Sequence, residues 1–181
     1  MMVLFLFSFL KESMKVLIRL FANISFFKQG PEDTPSSIHL LSILLLANFF
    51  IELMLGLTIY SIGVSSFLAF LSIASLTAFT WVLLTFFKLN SRLVQTLTAF
   101  IGVNLFTNIF FFFPVTVLWQ MNILVNNNFG MVNLFLLGWI LSIYAHILKR
   151  AANISFLLGF ALALTYFISF SHLSSFILGT E

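Results

Sequence analysis

Asn48 and Glu52 stand four residues apart inside a long apolar stretch, so on a helix they share one face. Glu52 is the only acid within any such stretch. An ionisable side chain at membrane depth costs about 2.5–3.5 kcal/mol on insertion scales, and it turns toward protein or water rather than lipid. The chemistry open to it is that of a proton or cation site, or of a polar handle for a partner helix. The structural alternative is a protonated carboxyl hydrogen-bonded to Asn48 or to a neighbouring helix. No basic residue lies in another apolar stretch to pair with it, which favours the neutral state. Asn104 and Asn108 repeat the four-residue spacing further along. They would either join Asn48 and Glu52 in a small buried network lining a path, or make ordinary interhelical hydrogen bonds worth about 0.6 kcal/mol each.

Other chemistry finds no residues to carry it. His39, His146 and His172 fall at different helix ends, whereas a metal site needs ligands that converge, so no metal is expected. Ser171-His172 has no acid nearby to orient the imidazole, and adjacent side chains point apart. The chain has no Cys, no phosphate loop, no dinucleotide fingerprint and no His-Glu-x-x-His motif, so no cofactor and no enzymatic activity are expected. The net charge of +3 reads as basic residues at a membrane surface, not as a nucleic-acid footprint.

Those polar residues need elements to hold them, and composition says which. Of 181 residues, 61% are hydrophobic and only 7% charged, against about 25% charged in a soluble domain. A helix crosses the hydrocarbon core with about 20 apolar residues. Five stretches qualify: 38–59, 62–87, 93–118, 131–148 and 151–177. None alternates in polarity as a β-barrel strand does. The expected fold is therefore all-α: a polytopic bundle of five transmembrane helices over residues 30–177, with a short tail at 178–181. All eight Lys and Arg (Lys11, Lys15, Arg19, Lys28, Lys88, Arg92, Lys149, Arg150) fall in the segments that five spans put on one side. The positive-inside rule makes that side cytoplasmic, with the N-terminus inside and the C-terminus outside.

Residues 1–29 form a separate N-terminal element. Lys11, Lys15, Arg19 and Asn23 recur every four residues, opposite Leu10, Met14, Leu17, Phe21 and Ile24. A basic stripe on an apolar cylinder suits an amphipathic helix in the interface, with Lys11, Lys15, Arg19 and Lys28 on anionic lipid headgroups. The alternative is a sixth element packed on the bundle. Ser36 or Ser37 would cap the first span after the break at Gly30-Pro31.

Small residues mark packing surfaces. Ala151, Ser155, Gly159 and Ala163 keep a spacing of four, as do Gly138 with Ser142 and Ser65 with Ala69. Such ladders let helices approach closely, within the bundle or toward another subunit. Phe110-Phe111-Phe112-Phe113 then leads into Pro114, where a kink is expected.

The segment Gly30-Pro31-Glu32-Asp33-Thr34-Pro35 and the stretch from Lys88 through Gln95-Thr96-Leu97-Thr98-Ala99-Phe100 to Pro114 resemble the Yip1-type family of small five-span membrane proteins. The likeness covers the layout of residues 30–177, although Leu89-Asn90-Ser91 replaces the glycine-rich loop common in that family. It implies an interaction or membrane-organising role with no catalytic residue. The compact form resembles bacterial inner-membrane versions.

The leading expectation is a non-enzymatic integral membrane scaffold or accessory subunit, working through helix contacts, lipids and a membrane-protein partner or its own copies. The alternative is a small transporter or channel component with a polar site around Glu52. A lipid-modifying enzyme is the third reading.

Overall fold

Hydrocarbon offers the backbone no hydrogen-bond partners, so every apolar stretch closes its N–H and C=O groups on itself. The computed structural model describes residues 2–124 and 126–179, with side chains at 14–124 and 128–179. Its helices are α1 (Met2–Ser25), α2 (Ile38–Gly56), α3 (Ile62–Phe86), α4 (Leu93–Thr107), α5 (Phe113–Gln120), α6 (Asn126–Ala152) and α7 (Phe156–Leu178). A π-helical turn, Asn108–Phe112, joins α4 to α5, making one continuous span from Asn90 to Gln120. Among the described residues there is no strand, and five helices are long and apolar enough to cross a membrane. The chain is an all-α integral membrane protein whose five spans follow an N-terminal helix. Large apolar side chains face outward as only lipid permits: Phe86 is 80% exposed and Leu157 78%.

Short connections sort the helix ends into two faces. One carries residues 57–61 and 121–124, which hold no charge. The other carries Lys88, Arg92, Lys149 and Arg150. At this basic face the chain is clasped. Glu32 pairs with Arg150, and Arg92 donates to the Ala151 carbonyl (3.1 Å). The Thr34 hydroxyl donates to the Gln95 carbonyl (2.8 Å), and the His146 ring meets the Gln29 carbonyl (2.9 Å). Gly30 lets the chain pass close to this pair, since a Cβ there would meet the ends of the Glu32 and Arg150 side chains and they would have to shift. Ser37 caps α2, accepting from the Leu40 amide, and Ser155 caps α7, accepting from the Leu158 amide.

Several boundaries differ from the sequence expectation for physical reasons. The second hairpin turns at Asn153, whose left-handed φ of 54° ends α6 after Ala152. The four-residue ladder therefore does not lie on one helix. Ala151 closes α6, Ser155 is the cap of α7, and only Gly159 and Ala163 are stacked on α7, both buried. Lys149 and Arg150, read as a loop, form the last turn of α6, where positive charge suits the negative end of the helix dipole. One face of the N-terminal helix packs on the bundle: Leu20, Phe21, Ile24 and Ser25 are buried against α4 and α6, with the Phe21 ring packed on Gly102. Lys15 and Arg19 are exposed on the opposite side of α1, and Lys28 is exposed beyond its end. The Lys11 side chain lies outside the described residues.

Two substitutions test the packing. At Gly159 a Cβ would sit 2.6 Å from the Ala145 carbonyl oxygen, whereas at Gly138 it would meet nothing within 4 Å. Gly159→Ala should destabilise the α6–α7 hairpin by about 1–3 kcal/mol, and Gly138→Ala should be neutral or slightly stabilising, as read by thermal unfolding in detergent. Lys88 holds φ 58° at the end of α3, where the Leu89 amide reaches back to the Leu84 carbonyl (2.7 Å). A left-handed conformation costs a non-glycine residue roughly 1–2 kcal/mol, part of it regained by glycine's freedom when unfolded. Lys88→Gly should raise the unfolding temperature in the same assay.

Candidate functional site

Side chains that a helix cannot satisfy by itself must find partners on other helices. Most hydroxyls here need none, because Ser66, Thr77, Thr80, Thr98 and Thr107 donate to the carbonyl four residues back. The amides and the acid gather instead. Asn48 Nδ2 donates to Glu52 Oε1 (2.8 Å) within α2, and Ser72 Oγ of α3 donates to the same oxygen (3.2 Å). Asn48 is fully buried, and its Oδ1 has no hydrogen-bond partner. On the facing helices the Tyr144 hydroxyl donates to Asn104 Oδ1 (2.8 Å). The Tyr166 hydroxyl shares a hydrogen bond with Ser75 Oγ (3.3 Å).

These groups border a cavity of about 680 Å³ enclosed by α2, α3, the α4–α5 span, α6 and α7. Glu52, Ser72, Asn104, Asn108 and Asn133 supply its polar wall, together with the ring edges of Tyr144 and Tyr166. Aromatic side chains supply much of the rest: Phe112, Trp119, Phe129, Phe167 and Phe170. The wall follows helical spacing. Ser65, Leu68, Ala69 and Ser72 form one face of α3, and Asn133, Leu137, Ile140 and Tyr144 form one face of α6.

The α4–α5 span needs a further device. Asn104, Asn108, Phe112 and Thr116 all line the cavity at intervals of four. In a regular helix four residues overshoot a turn by about 40°, so such a row drifts off its face. The wider π turn at Asn108–Phe112 takes up that drift. Pro114 accounts for its position, since it has no N–H to return to the Phe110 carbonyl. The Thr116 hydroxyl donates to the Phe112 carbonyl (2.9 Å) just beyond.

The cavity reaches one face only. Thr58, Ile59, Trp119, Phe129 and Gly130, which adjoin the uncharged loops, line it. Toward the basic face the same helices close up: Leu76, Leu84, Phe100, Ile101, Ile147 and Leu148 are almost completely buried. The cavity is a vestibule, not a through-pore.

Of the four polar residues singled out from sequence, Glu52, Asn104 and Asn108 share the cavity wall, while Asn48 stands behind it. Asn48 and Glu52 cluster with Ser72, and Asn104 pairs with Tyr144, so the hydrogen bonds do not join them in one network. Sequence reasoning did not single out Ser72, Asn133, Tyr144 or Tyr166. The tyrosines carried a usable signal, because a hydroxyl on a ring in an apolar span needs a partner. Among the described residues no three His, Asp or Glu side chains come together. No family model, curated protein or solved structure matches the chain.

Asn48→Leu leaves the Glu52 carboxyl without its amide donor, whereas Asn48→Leu with Glu52→Met removes both polar groups. The double variant should be more stable than the sum of the single losses, with a coupling of about 1 kcal/mol in a double-mutant cycle of thermal unfolding. Additive losses would show that the pair does not interact.

Proposed function

We propose that this protein is the binding component of a small-molecule transport or sensing system, holding its ligand in the vestibule beside Glu52. The observation that carries this reading is the cavity itself, about 680 Å³ with one carboxyl on its wall. That volume falls in the roughly 300–1,000 Å³ range of small-molecule sites, which are mostly apolar with a few placed polar groups. The sealed basic end and the lack of an inverted repeat support a component acting with a partner or as an oligomer, rather than a carrier working alone. On this reading the protein binds its ligand and hands it on to a partner or a second copy, without catalysis. On the positive-inside rule the basic face is cytoplasmic, so the vestibule opens outward. The compact five-span layout supports a bacterial inner membrane.

A scaffold role remains a second reading, and one observation favours it. Gly138 and Ser142 lie on the outward side of α6 with Leu134 and Phe135, and a Cβ on Gly138 would meet open space. That stripe suits contact with a helix of another subunit. The exposed Lys15 and Arg19 would hold anionic headgroups.

The chain has no Cys, so an introduced one is unique. Ser72→Cys and Thr116→Cys should react with a membrane-impermeant thiol reagent added on the side of the 57–61 loop, and not from the other. Thr80→Cys, at a fully buried position beyond the cavity, should stay unlabelled. If a Tyr60→Cys control labels and neither cavity position does, the vestibule is not an accessible binding site.

A further inference from the structure

The wall of the vestibule also constrains what it can hold, granted the binding reading above. Among the described residues the wall carries one carboxyl, Glu52, and no Lys, Arg or His. The segments at its mouth, 57–61 and 121–124, are uncharged, and the basic residues that follow α1 cluster elsewhere. The Glu52 carboxyl receives two hydrogen bonds, both on Oε1. A carboxylate accepts about four, so acceptor capacity is left over. The wall thus carries one acidic group with acceptor capacity to spare, beside the carboxamides of Asn104, Asn108 and Asn133, and no cation to meet its charge.

The remaining wall selects among the ligands that could answer this. A hard metal ion takes about six or more oxygen ligands, and a wall of Phe112, Trp119, Phe129, Phe167 and Phe170 does not offer them. Aromatic faces instead attract weakly hydrated organic cations through the negative potential over the ring. A phosphate-bearing ligand would set its negative charge against the Glu52 carboxyl, and the wall supplies no cation to offset that repulsion. We propose that the vestibule binds a lipophilic organic cation, its positive charge against Glu52 and its apolar body against the aromatic wall. The ammonium of a choline lipid shares the charge chemistry, but its adjoining phosphate finds no counter-charge here, so the ligand is a free cation.

The test uses the full chain with the single Thr116→Cys in nanodiscs of anionic lipid. Tetraphenylphosphonium and tetraphenylborate have nearly the same shape and opposite charge. Tetraphenylphosphonium should slow thiol labelling at least tenfold at saturation, and tetraphenylborate should not. Adding Glu52→Gln should raise the half-protecting concentration at least tenfold, while Glu52→Asp should keep most of the protection. Phe170→Leu, which leaves the carboxyl in place, should weaken protection at least threefold and guards against a Gln variant that does not fold. Equal protection by both ions, or protection by the anion alone, overturns the cation assignment and leaves the binding reading standing. Protection that follows phosphatidylcholine content rather than added cation also overturns it, in favour of a lipid headgroup. A Thr116→Cys that never labels overturns the binding reading itself.

Discussion

In hydrocarbon every polar group must find its partner inside the protein, and the rest of this structure follows from that demand. For the backbone the answer is local, and it produces the helices. For most hydroxyls it is local too, since Ser and Thr return a hydrogen bond to their own helix. For a carboxamide or a carboxyl the local answer is incomplete. Asn48 satisfies half of its amide on Glu52 and leaves an oxygen over, and Glu52 needs Ser72 from the next helix. Tertiary position is therefore dictated by the few groups that cannot be satisfied at home. The apolar residues contribute shape but little drive, because lipid tails are as apolar as they are.

Packing then decides how closely the helices can meet, and it does so unevenly along their length. Near the basic face, small side chains and clasping hydrogen bonds bring the elements together: Gly30 against Arg150, Gly102 against Phe21, Gly159 against Ala145. Toward the uncharged face the tight contact is confined to Gly56 and Ser65 within one hairpin. The α4–α5 span bulges there into its π turn, and the space between the helices stays open. The vestibule is the geometric remainder of a bundle cinched at one end.

This explains what was legible in the sequence. The spans stood out because a run such as Leu40-Leu41-Ser42-Ile43-Leu44 has no other stable form in lipid. Helix ends did not, because polarity was taken for a loop. Asn126-Asn127-Asn128 open α6, and Lys149-Arg150 close it. The break at Asn153 is a left-handed turn of the kind Asn adopts more readily than other non-glycine residues, but the even spacing of small residues from Ala151 to Ala163 masks it. Within the site, Glu52, Asn104 and Asn108 were conspicuous because amides and acids are rare in the spans. Ser72 was not, since nothing distinguishes it from Ser66, whose hydroxyl is spent on its own helix. The cavity was beyond the sequence altogether, being a relation among five spans.

The position of Glu52 carries a last consequence. Had the fold needed only a polar tie between α2 and α3, a neutral amide or hydroxyl at this position would have served at less cost in desolvation. A carboxyl pays for itself only if something meets its charge or its proton. The protein's own cations are at the far end: Arg150 is paired with Glu32, and Arg92 is engaged with the carbonyl end of α6. Neither Asn48 nor Ser72 brings charge. Among the described residues the carboxyl thus stands on the wall of an open space with no cation beside it, and the proposed binding role rests on that asymmetry.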